Sequence, residues 1–409
     1  MSLVTARPLR TPVAKADAAL KQRVHRRLVG EGAAVDDVAG LSRGALRVRL
    51  GDLLRDEEPL LATTRLERLV AELADEVAGL GPLEPLLADP GVTEVMVNGP
   101  GRAYVERHGE LLPVALDLDA PAIVRLVERI VAPLGLRIDR ASPMVDARLP
   151  DGSRLHAVIP PLAIDGPCVT IRRFGARAVP LDDFGVGAAV AAMLRWAVAA
   201  GWNLLVSGGT SAGKTTLLNA LSRAIPPGER VVTIEETAEL QLAQPHVVRL
   251  EARPANAEGA GGVTVRQLVR AALRMRPDRL VVGEVRGGEA LDMLQALNTG
   301  HDGSLSTIHA NGAGDALARL ETLALMADAG LPLAAIRAQL GASVDAVVHV
   351  VRGRGGERRV AAIAELDADG RGVRPLFEGL GATLVARAAP IRPARRPEAP
   401  ALDPAWFTC

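Results

Sequence analysis

The sequence predicts an α/β protein whose C-terminal half forms a parallel sheet, preceded by a smaller α+β domain and a helical N-terminal arm. In the C-terminal half, apolar strands such as Asn203–Ser207, Val231–Glu235 and Leu280–Val282 alternate with longer helical segments. This alternation is typical of parallel sheets with crossover helices. Upstream, shorter strands are joined by turns that contain glycine and proline, which indicates a separate α+β domain.

The chain divides into four predicted regions: a helical arm at 1–60, the α+β domain at 61–178, the sheet domain at 179–387 and a tail at 388–409. Helical spacing of Leu20, Val24 and Leu28 indicates the arm. The α+β domain contains a helix at Ala120–Val131, and the sheet domain contains a hairpin between Arg352 and Leu366. The tail is rich in proline and arginine, a composition that predicts disorder.

Composition limits the possible classes of protein. A chain of 409 residues exceeds what one hydrophobic core usually serves, so several domains are expected. The formal net charge is zero and aromatic residues make up only 2% of the chain. Nucleic-acid binding favours a basic surface with aromatic platforms, so we expect no nucleic-acid partner.

The cysteine content and the hydropathy of the chain indicate the cellular compartment of the protein. Cys168 and Cys409 are far apart and lack metal-ligand spacing, which argues against a disulfide framework and fits a reducing compartment. No apolar stretch is long enough to span a bilayer, and Arg7 and Arg10 are followed by no apolar core of a signal peptide. We therefore expect a cytoplasmic protein.

The strongest functional signal is a glycine-rich segment between a strand and a helix. Residues 208–215 match the pattern G-x-x-x-x-G-K-[ST]. In such loops, backbone N–H groups surround phosphate, the lysine (here Lys214) meets β- and γ-phosphate oxygens, and the next hydroxyl (Thr215) binds Mg²⁺. The alternative is a glycine-rich turn before a buried helix. We predict that ATP and Mg²⁺ bind at Gly208, Gly209, Thr210, Ser211, Ala212, Gly213, Lys214, Thr215 and Thr216.

Two glutamates that follow apolar strands are candidates for the chemistry. Nucleotide hydrolysis needs a held Mg²⁺ and an oriented water, and carboxylates at the C-terminal ends of sheet strands can supply both. Glu235 is the candidate general base, and Glu284 is a candidate metal ligand. The alternatives are a solvated pair of charges for Glu235 and Glu236, and a strand-end charge paired with Arg286 for Glu284.

His301 and His309 flank a segment that is predicted to add another strand to the same sheet. Their positions allow γ-phosphate sensing or loop organisation. The alternative is that each is a core histidine with its hydrogen bonds satisfied. Neither belongs to a cluster of metal ligands, so we expect no zinc site.

Motifs throughout residues 60–366 are similar to those of one family. Besides the phosphate loop, they are Val145–Arg154, Ile171–Phe174, Leu273–Arg279, Gly283–Gly287, Asn298–Ser304, Thr307–Asn311 and Arg319–Thr322. Together they resemble the motor ATPases of type II and type IV secretion systems and pili. Within this superfamily, the CpaF-type ATPases of tight-adherence (Flp) pili are the most similar.

The resemblance implies a homo-hexamer whose subunits each have a sensory-like (PAS-like) α+β N-terminal domain and a RecA-like P-loop domain, with ATP between them. It implies that Glu235 is the catalytic glutamate of an acidic box, that Glu284 is an atypical Walker B glutamate, and that His301 and His309 form a histidine box. Members of the family commonly have aspartate after the first glutamate of the acidic box. Glu236 occupies that place here, so its role stays open.

Four arginines of the α+β domain, Arg148, Arg154, Arg172 and Arg173, resemble residues that approach the nucleotide phosphates in such motors. A planar guanidinium suits γ-phosphate better than an ammonium group does. We assign Arg148 and Arg172 to catalysis, and Arg154 and Arg173 to nucleotide binding. The alternative in a chain so rich in arginine is that they are surface charges.

The resemblance therefore predicts a Mg²⁺-dependent ATPase on the inner face of the cytoplasmic membrane, whose ring transmits force to platform proteins in that membrane. The motifs do not distinguish pilus extension, pilus retraction and protein export. Two other classes remain open: a RecA-like nucleic-acid translocase, and a scaffold that binds ATP without hydrolysing it. Steady-state hydrolysis separates the scaffold from the motor.

Overall fold

A computed structural model describes residues 12–30, 41–107, 109–149, 151–173, 179–255, 260–353, 355–380 and 383–407. The chain divides into two compact units, Met1–Phe174 (unit 1) and Gly175–Cys409 (unit 2). Several features of the sequence lie outside the described residues: arm residues 1–11 and 31–40, Pro150 and Phe174 of the motifs, and Cys409.

The N-terminal part of unit 1 is helical, as the sequence predicts. Its helices are α1 (Pro12–Gly30), α2 (Arg43–Glu57) and α3 (Thr63–Ala78). They share an apolar core to which α3 contributes Leu69 and Leu73. Because α3 buries its apolar face against α1 and α2, it packs with the helices of the arm, although the predicted boundary at 60 assigns it to the α+β domain.

The rest of unit 1 is a six-stranded antiparallel sheet in the order β3-β2-β1-β6-β5-β4. Its elements are β1 (Val92–Asn98), β2 (Ala103–Arg107), β3 (Glu110–Val114), β4 (Met144–Arg148), β5 (Arg154–Val158), β6 (Cys168–Arg172), α4 (Glu84–Ala88), α5 (Ala120–Val131), and short 3₁₀ helices at Gly81–Leu83 and Ala132–Leu134. Helix α5 coincides with the predicted one. Its Ile123 and Val127 share a core with alternate strand residues such as Val95 and Ile171, and the residues between them face the other side of the sheet.

Unit 2 contains a nine-stranded sheet in the order β15-β14-β13-β12-β7-β11-β10-β8-β9. Its strands are β7 (Leu204–Gly208), β8 (Val231–Glu235), β9 (Val247–Glu251), β10 (Arg279–Val285), β11 (Leu305–His309), β12 (Ala346–Arg352), β13 (Arg358–Leu366), β14 (Val373–Leu380) and β15 (Thr383–Ala386). Strands β7 to β12 are mutually parallel, as predicted. The predicted hairpin at 352–366 contains only the turn and β13, because the first strand of the observed hairpin, β12, begins at Ala346. Strands β13, β14 and β15 run antiparallel, so the sheet is mixed.

Two apolar clusters lie against this sheet and include residues from its helices. The helices are α6 (Ala188–Ala199), α7 (Lys214–Ser222), α8 (Val265–Ala272), α9 (Glu289–Leu297), α10 (Ala313–Leu325), α11 (Leu333–Ser343), and 3₁₀ helices at Leu181–Phe184 and Pro404–Phe407. Across the described residues, we find no helix whose length and apolar character would let it cross a bilayer.

The prediction of a disordered tail is wrong for residues 388–407. Trp406 and Phe407 pack against the core of unit 2. The indole N–H of Trp196 donates to the carbonyl of Pro400 at 2.7 Å, and that of Trp202 donates to Pro393 at 3.0 Å. The proline- and arginine-rich composition of the tail wrongly predicts disorder for two reasons. Its few aromatic side chains pack on the apolar surface of unit 2, and its backbone carbonyls at Pro393 and Pro400 accept hydrogen bonds from that unit.

Candidate nucleotide-binding site

The loop between β7 and α7 requires glycine at two positions. A Cβ on Gly208 would lie 2.5 Å from the carbonyl oxygen of Val350 on neighbouring β12. Gly213 has φ of 98°, and a Cβ there would lie 2.7 Å from Cδ of Arg358. These glycines let the chain turn tightly into the start of α7, where backbone N–H groups and the helix dipole favour an anion. The loop is therefore suited to bind phosphate.

Lys214, the first residue of α7, folds back along the loop. Its ammonium group donates to the carbonyl of Gly209 at 3.1 Å and lies 3.9 Å from Oε1 of Glu284. Only 11% of its side chain is exposed. The lysine is therefore held at the loop, beside a carboxylate on another strand.

Glu235 is the last residue of β8 and is buried. Its Oε1 accepts hydrogen bonds from the backbone N–H groups of Glu239 and Leu240 at 2.7 and 2.8 Å. Its Oε2 is buried and has no hydrogen-bond partner among the described residues. Burial raises the pKa of Glu235 to about 7, although the two backbone hydrogen bonds act in the opposite direction.

Glu284 lies within β10. This strand is next to β8, which ends at Glu235, and one strand (β11) separates it from β7, which leads into the phosphate loop. Its Oε2 accepts from Nε and Nη2 of Arg286 at 2.9 and 2.7 Å, while Oε1 faces Lys214. Nη1 of Arg286 also donates to Glu236. Glu284 is thus paired with Arg286, as the alternative holds, and its other oxygen faces Lys214 at the phosphate loop; its role as a metal ligand stays a prediction.

Parallel strand register brings these groups to one edge of the sheet. Gly208 and His309 are paired residues at the C-terminal ends of β7 and β11, next to β10. A Cβ on Gly283 would lie 2.8 Å from Cγ of Glu235, so the glycine makes room for that buried carboxylate beside Glu284. The sequence-based grouping of Lys214, Glu235, Glu284 and His309 is therefore present in the fold.

His301 is not part of this edge: the structure does not bring it together with His309, and its role in a histidine box stays a prediction. It precedes the start of β11, whose first residue pairs with the first residue of β7. A five-residue strand spans about 16 Å, so His301 lies at the opposite edge of the sheet. Its Nδ1 is 2.9 Å from the carbonyl oxygen of Ala296 at the end of α9, a contact that fits the alternative of a satisfied structural histidine.

Three of the four predicted arginines form a row across the sheet of unit 1. Arg148 pairs in register with Arg154, Arg154 with Arg172, and Arg172 with Glu94. The adjacent Arg173 differs, because its Nη1 donates to the backbone carbonyls of Asp89 and Val92. The structure thus places Arg148, Arg154 and Arg172 together, and a role for any of the four at a phosphate stays a prediction.

Sequence reasoning missed Arg358, the first residue of β13. Its stem lies against Gly213, and its Nη1 is 3.4 Å from Oγ1 of Thr216. The position follows from topology, since β12 is parallel to β7 and the hairpin after β12 must turn at the edge that carries the phosphate loop. The predicted hairpin at 352–366 already indicated a turn before Arg358. The sequence did not show that β12 pairs with β7, so it did not show that this turn lies at the phosphate loop.

A second missed feature is a buried pair directly beneath the loop. Oγ of Ser207 lies 2.9 Å from Nδ1 of His349, the residue beside it on β12. Burial lowers the pKa of His349, which favours the neutral ring. This pair joins β7 to β12 immediately before the chain turns into the phosphate loop.

Comparison with known proteins identifies relatives over most of the chain. The profile of the family described as Type II/IV secretion system protein matches residues 76–370. A protein of Mycobacterium tuberculosis named for conjugal transfer is 45% identical over 324 residues, covering 76% of this chain and 92% of the relative. The type IV secretion system protein PtlH of Bordetella pertussis is 40% identical, covering 69% and 93%. The conjugal transfer protein TrbB of Rhizobium radiobacter is 36% identical, covering 71% and 88%.

Solved structures share the fold at lower identity. The ATPase DotB of Legionella pneumophila has a TM-score of 0.50 and 20% identity, covering 69% of this chain and 79% of DotB. The pilus retraction motor PilT has a TM-score of 0.51 and 18% identity, covering 75% and 83%. These similarities confirm the predicted fold class, an α/β RecA-like core preceded by an N-terminal domain. From the profile match and the identities above, the chain belongs to the type II/IV secretion system protein family.

Proposed function

We propose that this chain is an ATP-hydrolysing motor of a bacterial secretion or pilus machine. The observation that carries the proposal is the convergence of Lys214, Glu284 and Glu235 at the sheet edge where the phosphate loop begins. One cation and two carboxylates at such an edge are the groups that phosphoryl transfer to water requires. Membership of the secretion family supports a motor over a metabolic enzyme.

The residues at this edge fit Mg²⁺ with ATP. No set of three or more His, Cys, Asp or Glu side chains in the described ranges could hold a metal ion by itself. Mg²⁺ is commonly bound by one or two protein oxygens together with phosphates, and Thr215 and Glu284 can supply those oxygens. When bound, Mg²⁺ neutralises charge on the phosphates.

Side chains of the protein itself bind the phosphates and activate the attacking water. Lys214 leaves the carbonyl of Gly209 and meets the β- and γ-phosphate oxygens. Glu235 orients the attacking water and accepts its proton, for which a pKa of about 7 is well placed. Its unpartnered Oε2 is the atom available for that water. His309, at the end of β11, is positioned to sense the γ-phosphate.

We further propose that the arginine row of unit 1 closes onto the phosphates, with Arg148 and Arg172 meeting the γ-phosphate, and that hydrolysis reopens the cleft. Around a homo-hexamer, such closures would transmit force to a platform in the cytoplasmic membrane, with the ring bound to its inner face. The motifs favour a CpaF-type motor of a tight-adherence pilus. The names of the relatives favour conjugal transfer or type IV secretion instead. Deleting the gene and inspecting cells for pili and for exported protein distinguishes these machines.

The activity is tested by steady-state ATP hydrolysis with and without Mg²⁺. We expect Lys214→Ala and Glu284→Ala to nearly abolish turnover while circular dichroism shows an intact fold. Lys21→Ala is the matched control, because Lys21 pairs with Glu72 and Glu76 in unit 1. Unchanged turnover in either site variant would refute the assignment, and ATP binding without hydrolysis by the wild type would indicate a scaffold.

A further inference from the structure

Arg286 joins the two acidic segments of the candidate site. Its Nε and Nη2 both donate to Oε2 of Glu284, and its Nη1 donates to Oε2 of Glu236. Glu236 directly follows β8 and the buried Glu235, whereas Glu284 lies on β10, the neighbouring strand. A single guanidinium therefore connects the ends of two adjacent parallel strands beside the phosphate loop.

The contact distinguishes the two oxygens of Glu284. Oε2 is engaged twice by Arg286, while Oε1 faces the ammonium group of Lys214 at 3.9 Å. Two N–H groups of one planar guanidinium fix the position of a single oxygen more firmly than one flexible ammonium group can. The fork on Oε2 thus keeps Oε1 directed at the phosphate loop. When Lys214 moves to a phosphate, Arg286 remains as the cation beside Glu284.

The backbone of Arg286 is itself fixed. The N–H groups of Arg286 and Gly287 both donate to Oε1 of Glu289, at 2.7 and 2.8 Å, in the turn that begins α9. The guanidinium of Arg286 therefore extends from a turn whose backbone is fixed. Glu236 accepts a hydrogen bond from Nη1 of this guanidinium.

The exposed fractions of these side chains indicate that Arg286 positions Glu284 rather than stabilises the fold. The side chains of Arg286 and Glu236 are each 57% exposed, whereas that of Glu284 is 23% exposed. Ion pairs between exposed side chains add little to the free energy of unfolding. Loss of Arg286 should consequently leave the fold intact and change only the orientation of Glu284.

We propose that Arg286 is a positioning residue that holds Oε1 of Glu284 toward the phosphate loop, and that Glu236 holds Arg286 in place. We name this group, Glu236, Arg286 and Glu284, the carboxylate relay. The inference rests on the proposed function, since it assigns Glu284 to Mg²⁺ and nucleotide. It gives Glu236, whose role the sequence left open, a defined task.

The test uses the full chain with Arg286→Ala, Arg286→Lys, Glu236→Ala and the Arg286→Ala/Glu236→Ala double variant. Partners that orient metal ligands typically contribute about 10- to 100-fold to activity or metal affinity. We expect Arg286→Ala to lower kcat by about that factor with little change in KM for ATP, and Arg286→Lys to lie in between because lysine keeps the charge without the fork. The double variant should be no worse than Arg286→Ala, since both changes break one relay.

A second readout needs no turnover. Calorimetric binding of a non-hydrolysable ATP analogue is measured across a series of Mg²⁺ concentrations, and we expect the Mg²⁺ midpoint to rise about tenfold or more in Arg286→Ala. Arg337→Ala is the matched control, because Arg337 also donates from Nε and Nη2 to one carboxylate, to Oε1 and Oε2 of Glu321, between α10 and α11 and away from the phosphate loop.

The outcomes separate the two proposals. A wild-type kcat and Mg²⁺ midpoint in Arg286→Ala overturn the relay, and losses that add fully in the double variant overturn the part played by Glu236. A wild-type chain that hydrolyses no ATP overturns the proposed function instead, while the Mg²⁺ midpoint still decides whether Arg286 positions Glu284.

Discussion

Glu235 is a buried carboxylate with one oxygen held by two backbone N–H groups and the other without a partner among the described residues. Burial raises its pKa from 4.5 to about 7. Between these pH values the folded chain binds more protons at this site than the unfolded chain does. Stability therefore falls as pH rises from about 4.5 to 7, by an amount on the order of 3 kcal/mol. This loss of stability lies at the carboxylate that we propose as the general base.

The pKa of Glu235 predicts the pH profile of the reaction. We expect kcat/KM to rise with pH through an acidic limb with a midpoint near 7, because only the ionised carboxylate accepts a proton from water. Initial rates at saturating Mg²⁺ between pH 5 and 9 measure this limb. A midpoint near the ordinary glutamate value of 4.5 would show that Glu235 is not the base, or that it is not buried in the working enzyme.

How well single residues could be predicted depends on how far apart in sequence their partners lie. Lys214 and the glycines of the loop were found because their function is contained in one contiguous segment. Glu235 was found because it ends an apolar strand, but its unpartnered oxygen depends on the fold around it. Arg358 was missed because its contact with Thr216 spans 142 residues of sequence. The separation of His301 from His309 was not predicted, because proximity in sequence to β11 does not tell which end of the strand a residue occupies.

At the scale of elements, the tail secures the edge of the unit 2 sheet opposite the phosphate loop. Arg395 donates to Oδ2 of Asp345 at 2.6 Å and to Oδ1 of Asp302 at 3.0 Å. Asp345 is buried, and its Oδ1 also accepts a hydrogen bond from Nη1 of Arg392 at 3.1 Å. Asp302 follows His301 directly, so the tail also fixes the segment that carries this histidine.

Arg395→Ala should destabilise unit 2, because it leaves the buried Asp345 with Arg392 as its remaining cationic partner, beside the backbone N–H of Asn203. A hydrogen bond to a charged group contributes about 2 kcal/mol, and we expect a loss of that order because Arg392 still compensates the charge of Asp345. Denaturant unfolding followed by tryptophan fluorescence measures this directly, since Trp196, Trp202 and Trp406, the three tryptophans of the chain, all lie in this region.

Arg371→Ala is the control for this measurement. Arg371 pairs with Asp369 at the surface, where both side chains are mostly exposed, so its removal should change stability by less than about 1 kcal/mol. Equal unfolding midpoints for the two variants would mean that the tail's charges do not stabilise unit 2.

Elements with strong local periodicity were predicted well, and those defined by tertiary packing were not. Helix α5 and strand β8 match their predicted bounds, since their apolar spacing alone defines them. Strands β14 and β15 extend the sheet only because the β12–β13 hairpin offers a free edge. The tail lacks any periodicity, and its order depends on the surface around Trp196 and Trp202.

At the scale of the whole molecule, the division into two units separates the candidate catalytic groups. The phosphate loop and both glutamates belong to unit 2, whereas the arginine row belongs to unit 1. Three guanidinium groups in register across neighbouring strands create a concentrated positive charge, with Glu94 at one end of the row. Burial raises the pKa of Glu94, while Arg172 opposes that shift. Such a row is suited to a polyanionic partner such as the phosphates of ATP.

Arg148→Ala and Arg172→Ala test whether the row works with unit 2. An arginine that stabilises the transferring phosphoryl group contributes about 10³-fold or more to kcat. We expect a loss of that order with little change in affinity for ADP, which lacks the γ-phosphate. Arg102→Ala, at a turn of the same sheet, should turn over ATP at the wild-type rate. Equal rates in all three variants would restrict the active site to unit 2.

The most direct test of the motor hypothesis is phosphate release from ATP by the wild type and by Glu235→Gln. The amide keeps an oxygen for the N–H groups of Glu239 and Leu240, so nucleotide binding should be retained. We predict Mg²⁺-dependent release by the wild type and almost none by Glu235→Gln at equal ATP occupancy. Release by the variant at the wild-type rate, or none by either protein, would contradict the assignment of this sheet edge as a hydrolytic site.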